Sequence, residues 1–132
     1  MKMDKEQQEL MFKLSMFEQQ IQHINQQLQA VENAITDMTS LNLGLGELQG
    51  KEGEEILAQI GRGIFVKAKL ISEDLTVDVG GKKFVKKSIP DTQKIINDQI
   101  KKLEGAREEL SKAMEEINKQ LTETMMQHQS KK

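Results

Sequence analysis

The sequence contains no cysteine, no tryptophan and no tyrosine, and among its 132 residues it has one proline and four phenylalanines. Without cysteine there is no disulfide, no thiolate metal ligand and no cysteine nucleophile. The aromatic shortage excludes the usual core of a compact enzyme, in which several aromatics each remove a large apolar area from water. No apolar run approaches the roughly 18 residues of a membrane-spanning helix. The N-terminal stretch Met1-Lys2-Met3-Asp4-Lys5-Glu6 is polar and lacks the apolar centre of a secretory signal. A cytoplasmic location is the expectation. No excess of positive charge exists either: 19 Lys+Arg stand against 21 Asp+Glu, a net charge of −2. Nucleic acid and anionic membrane surfaces, which recruit basic proteins, are not expected partners.

What is present is periodicity. Residues 4–40 hold no Gly and no Pro, and apolar residues fall at Leu10, Leu14, Phe17, Ile21, Ile24, Leu28, Val31, Ile35 and Met38. Alternating steps of four and three make a heptad seam, narrower than the stripe of a helix packed on a globular core. With Leu14, Ile21, Leu28 and Ile35 at a, the d positions are Leu10, Phe17, Ile24, Val31 and Met38. At ~1.5 Å per residue such a helix is about 50 Å long. Gly44 and Gly46 mark its expected end, which bounds a first helix at 4–43.

Eight of the nine glycines then lie between positions 44 and 81. Ile64-Phe65-Val66-Lys67-Ala68-Lys69-Leu70 alternates, with Ile64, Val66, Ala68 and Leu70 on one face. Ile56-Leu57-Ala58-Gln59-Ile60 joins it through Gly61-Arg62-Gly63. Leu75–Val79 and Lys82–Val85 flank Gly80-Gly81, a two-residue turn signal. Two β-hairpins are therefore expected within 54–87. A second helix is expected over 88–128, with Ser88 as its cap, Pro90 in its first turn and Asp91 complementing its dipole. Its seam runs Ile96, Ile100, Leu103, Arg107, Leu110, Met114, Ile117, Leu121, Thr124 and His128, interrupted by Arg107. Gly105 weakens it nearby by about 1 kcal/mol.

The fold class is thus α+β, mainly α. A single domain over 1–132 forms a long antiparallel two-helix coiled coil with two central β-hairpins. Met38 is expected near Ile96, and Leu10 near Leu121. Four short strands bury little, and isolated hairpins are marginal in water. Their edges and apolar faces need partners, so oligomerisation through the hairpins is expected.

No constellation carries catalysis. Gly61-Arg62-Gly63 follows one strand and leads into another, so no helix N-terminus is available to hold a phosphate. His23 sits at an outward c position and His128 near the helix end, and neither has ligand-like companions, so no metal site is expected. No nucleophile–base–orienter set assembles, and no cofactor site is evident. The glutamines crowding the first helix read as an uncharged solvated face. The methionines are more telling, because six of the eight fall at the two chain ends: Met1, Met3, Met11, Met16, Met125 and Met126. Met11, Met16, Met125 and Met126 lie off the seam, and so does Phe12. Such a cluster makes an adaptable apolar surface.

With Gly61-Arg62-Gly63-Ile64-Phe65-Val66-Lys67-Ala68, Val77-Asp78-Val79-Gly80-Gly81 and the flanking heptad helices, the chain resembles prefoldin, specifically its alpha class. The resemblance covers almost the whole chain. It implies an ATP-independent holdase, not an enzyme. Two alpha-class and four beta-class subunits would join their hairpins into an oligomeric β-barrel platform bearing six coiled-coil arms. The arm tips would hold unfolded proteins and pass them to a group II chaperonin. By position, client binding maps onto Met3, Leu10, Met11, Phe12, Met16, Met125 and Met126. The oligomer interface maps onto Ile56, Ile60, Ile64, Val66, Ala68, Val77, Val79 and Phe84. The alternatives are a structural filament of prefoldin-like subunits, or an adaptor binding one defined partner.

No Gly-rich loop opens a helix here, and none is followed by Lys-Ser or Lys-Thr. Titration calorimetry with ATP and magnesium is expected to show no binding. A micromolar dissociation constant would revive an enzymatic reading.

Overall fold

The computed structural model describes residues 4–130, and of Ser130 the backbone alone. The elements follow in the order α1 (Lys5–Leu48), β1 (Glu55–Gly61), β2 (Ile64–Lys69), β3 (Leu75–Asp78), β4 (Phe84–Lys87) and α2 (Ile89–Ser130). The helix–hairpin–hairpin–helix order matches the expectation. The chain divides into two compact units, one combining residues up to Ile35 with those from Lys102, the other Thr36–Lys101.

Both helices begin with satisfied caps. The Asp4 carboxylate accepts from Gln7 N at 2.7 Å, and Gln7 Oε1 accepts from Asp4 N at 3.3 Å. This reciprocal pair covers two donors that the first turn would leave orphaned. Ser88 Oγ accepts from Asp91 N at 3.2 Å, which bears out the cap expected at α2.

In the first unit the two helices pair along the expected stripe. Leu10, Leu14, Phe17, Ile21, Leu28 and Val31 are half-buried and Ile24 is buried on α1; Leu103, Leu110, Met114, Ile117 and Leu121 are half-buried on α2. Arg107 keeps its seam position by swinging its guanidinium outward. Its NH1 donates to Glu32 Oε1 of α1 at 3.5 Å, with both side chains about half exposed. Leu10 lies in one groove with Thr124, Gln127 and His128 rather than opposite Leu121. The reason is local register: Phe17 lies across from Gln120 and Thr124, which carries Leu10, two turns earlier on α1, towards His128.

In the second unit α1 does not stop at Gly44 and Gly46 but continues to Leu48. Two glycines inside a helix cost about 1 kcal/mol each. Leu45, the next d residue, is buried against Ile89 and Ile96, with Met38, Leu48, Leu75 and Ile100 packed around them. Burying one leucine contributes about 1.5–3 kcal/mol, so Leu45 and Leu48 together offset the glycine cost. The chain leaves the helix through Gly50, whose φ of 77° belongs to the left-handed region. Asn42 takes the a position between Met38 and Leu45. Its Nδ2 donates to Asn97 Oδ1 at 2.9 Å, and Gln93 Nε2 donates to its backbone carbonyl at 3.2 Å. A polar a residue of this kind fixes helix register.

Each hairpin is its own two-stranded antiparallel sheet, β1–β2 and β3–β4. In the first, Ile56 faces Ala68 and Ala58 faces Val66, whereas Leu57 faces Lys67 and Gln59 faces Phe65. Ile60 has no partner residue, because the register shifts by one between Gln59 and Gly61. Arg62 and Gly63 form the two-residue turn, at φ 43° and 78°, the positive pair that matches strand twist. In the second hairpin the turn lies one residue later than Gly80-Gly81. Asp78 Oδ1 accepts from Gly80 N at 2.9 Å, an Asx turn that ends the strand at Asp78. Gly81 and Lys82 then take the two central positions, at φ 61° and 62°. Gly80 O accepts from Lys83 N at 3.1 Å across them. Val79 therefore stands in the loop, and Phe84, opposite Asp78, occupies the face away from Val77.

Ile96→Ala should remove about 2–4 kcal/mol of stability, as deletions of buried aliphatic side chains do. Arg107→Leu should add about 1 kcal/mol, because an exposed ion pair contributes about 0–1 kcal/mol and a seam leucine more. Urea midpoints followed by circular dichroism check both signs.

Candidate functional site

Two surfaces remain apolar and uncovered. The first belongs to the coiled-coil unit. Phe12, at an outward f position, is 68% exposed, and Met16 is exposed one turn later. With Phe17 they form the apolar side of a groove whose other wall carries Gln120, Glu123, Thr124 and Gln127 of α2, with Lys13 and Gln20 at its edge. Met11, Met125 and Met126 are exposed as well, but none of them lines this groove. By heptad position Met11 and Met125 lie at e, on the opposite flank of the seam from Lys13 and Gln20 at g. Leu10 is half-buried in the more polar groove with Glu6, Glu9 and His128. Met3 lies outside the described residues. The expected tip residues thus divide: Phe12 and Met16 come together, Met11, Met125 and Met126 stand apart, and Leu10 belongs to the seam. Phe17, expected as a seam residue, also lines the groove. The signal for it was present in the sequence, since Phe17 is a d residue flanked by the off-seam apolar Met16.

The second surface belongs to the hairpin unit. Ile60, Ile64, Val66, Val79 and Phe84 are exposed, while Ile56, Ala68 and Val77 are half-buried. Leu57, Phe65, Ile71 and Val85 are further exposed apolar residues, outside the expected interface set. Leu57 and Phe65 fall on the alternate parity of β1 and β2, among Glu55, Gln59, Lys67 and Lys69, so the first hairpin exposes some apolar side chains on both faces. A two-stranded sheet cannot cover either face by itself. Leu41, Leu43 and Ile95 add exposed apolar side chains on the helices of the same unit.

The chemistry available is apolar burial at both surfaces and, at the hairpin edges alone, backbone pairing. Among the described residues no three His, Cys, Asp or Glu side chains gather to hold a metal ion. None of the described helices is long and apolar enough to cross a membrane.

The family model "Prefoldin subunit" matches residues 17–132. The chain belongs to the prefoldin family. Prefoldin alpha subunits are similar to it over most of its length. That of Methanosphaera stadtmanae is 27% identical over 88 residues, covering 67% of this chain and 64% of the relative. The Methanobrevibacter smithii protein is 29% identical over 103 residues, covering 77% of this chain and 70% of the relative. The Methanococcus aeolicus protein is 30% identical over 106 residues, covering 79% and 72%. The chain thus spans just under two thirds of the first relative's length. Its fold is that of a subunit in the cryo-EM structure of filamentous PFD from Methanocaldococcus jannaschii, with a TM-score of 0.75 at 21% identity, covering 87% of this chain and 97% of that one. The relatives are named as prefoldin alpha subunits, and the similar solved chain belongs to a filamentous assembly. The prefoldin match includes both hairpins and all of α2, but begins at Phe17, beyond Leu10, Met11, Phe12 and Met16.

Proposed function

We propose that this chain is the alpha-class subunit of a cytoplasmic, ATP-independent holdase, folding as a single prefoldin domain over 1–132. Two copies would join four beta-class subunits through their hairpins into a platform, with Ile56, Ile60, Ile64, Val66, Ala68, Val77, Val79 and Phe84 at the interface. The free ends of the coils would capture unfolded clients through Met3, Leu10, Met11, Phe12, Met16, Met125 and Met126, and deliver them to a group II chaperonin. The observation that carries this reading is the exposed apolar set at that end of the coil, including Phe12 and Met16 beside Phe17.

The energetics suit a client without fixed structure. One exposed Met or Phe contributes about 1 kcal/mol to a contact, less than the ~1.5–3 kcal/mol of full burial. Each arm would therefore bind weakly and release without nucleotide, while several arms acting together gain avidity. Replacing Phe12 with Ser and Met16 with Gln should weaken client capture at least tenfold at unchanged assembly mass, on the order expected when several weak contacts are lost together. Suppression of aggregation of a chemically denatured model protein, with light scattering in parallel, measures both. Wild-type protection by that variant would sink the reading.

A second reading has a specific support, because the similar solved assembly is described as filamentous. In it the hairpins polymerise rather than close. Either way Val66→Asp or Val77→Asp should break assembly, since an unpaired buried charge costs several kcal/mol. Mass measurement of the chain alone, and after co-expression with a beta-class subunit, separates a closed hexamer from a filament. Unchanged mass for both variants would remove the hairpins from assembly altogether.

A further inference from the structure

The described methionines fall into two classes. Met38 and Met114 are half-buried at seam positions, Met38 against the Leu45–Ile96 cluster. Met11, Met16, Met125 and Met126 are 55%, 44%, 42% and 63% exposed, and all four belong to the coiled-coil unit near the starts and ends of α1 and α2. Helix formation does not ask for methionine at these outward c, e and f positions. Leucine forms helices about as well and offers similar apolar area. Sulfur is what methionine adds, in a polarizable thioether on a flexible stem. The chain has no cysteine, so among the described residues these thioethers are the most exposed of the readily oxidised groups.

We propose that peroxide oxidation of the exposed thioethers of Met11, Met16, Met125 and Met126, on both flanks of the seam, switches client capture off. The inference rests on the capture reading above. In the reaction a thioether sulfur lone pair attacks one oxygen of hydrogen peroxide. The S–O bond forms as the O–O bond breaks, and the departing hydroxide takes up the remaining proton to leave as water. Sulfur loses two electrons and the peroxide gains them. The product sulfoxide is polar and chiral, so the side chain no longer offers a free apolar surface. Met16 stands beside Phe12 and Phe17 in the groove, where a sulfoxide oxygen would bring water onto the apolar wall. Met38 is the only methionine of the hairpin unit and is half-buried, so the hairpins themselves offer no exposed thioether. Methionine sulfoxide is reducible by enzymes specific for each epimer, which makes the switch reversible.

The test uses the assembled complex and hydrogen peroxide. After limited treatment, peptide mass spectrometry should find one added oxygen on Met11, Met16, Met125 and Met126 well before Met38 and Met114. Assembly mass should stay constant. Client capture, taken as the ratio after and before treatment, should fall at least about tenfold, as loss of several weak contacts requires, and recover with sulfoxide reductases. A variant carrying Met→Leu at all four positions should keep its own starting capture after the same treatment. Oxidation at Met38 or Met114 first, or capture unaltered by oxidation of the four, overturns the proposal. So does an equal peroxide loss in the leucine variant. If the untreated Phe12→Ser, Met16→Gln variant captures normally, the capture reading itself has failed. If that variant is impaired while the oxidised complex captures normally, only the switch has failed.

Discussion

A stripe one side chain wide can be buried only by another stripe. Each helix of this chain carries a narrow apolar stripe in alternating steps of three and four, set mostly among polar residues, so it is stable against a partner helix of the same pattern. Every other feature depends on that constraint. The seam leaves few residues deeply buried: Ile24 in one unit, and Leu45, Ile89 and Ile96 in the other. It also tolerates departures that keep the spacing. Arg107 holds an a position by reaching outward to Glu32, and Asn42 holds another by pairing with Asn97.

Because the seam consumes its own apolar residues, whatever remains apolar has nothing within the chain to cover it. The hairpins show this most plainly. Leu75 packs on the Leu45–Ile89–Ile96 cluster, whereas Ile64, Phe65 and Phe84 stay exposed. The backbone adds its own demand, since each hairpin is a two-stranded sheet with both outer edges unpaired. Lys82 is held at a positive φ where glycine is favoured, at a cost of about 1 kcal/mol. That turn is determined by Asp78 and Gly80 beside it rather than by the preference of the lysine. The first hairpin exposes apolar side chains on both faces, with Leu57 and Phe65 on one and Ile64 and Val66 on the other.

The coiled-coil unit has a different surplus. Phe12 and Met16 stand outside the stripe, yet they line one groove with the seam residue Phe17. The opposite wall is glutamine, threonine and glutamate. A groove apolar on one side and hydrogen-bonding on the other suits a chain segment with exposed apolar side chains and an unsatisfied backbone.

Local periodicity was enough to read both helices, both hairpins, the Ser88 cap and the prefoldin resemblance, because heptads, alternation and turn residues are signals carried by neighbours in sequence. The off-seam position of Phe12 and the methionines was legible for the same reason. Pairings between distant residues were not. Gly44 and Gly46 signal a helix end by propensity, and only the burial of Leu45 against Ile89 and Ile96 overrides them. The Asx turn at Asp78 moves the second hairpin turn by one residue and turns Phe84 away from Val77. Opposing Phe17 to Gln120 and Thr124 sets Leu10 near His128 and separates Met11 and Met125 from the groove of Phe12 and Met16. The sequence by itself determined which segments are helix and strand and which residues are left over. Tertiary structure decided which leftovers meet, because helix register and strand face are chosen by burial across the fold and not by any single segment.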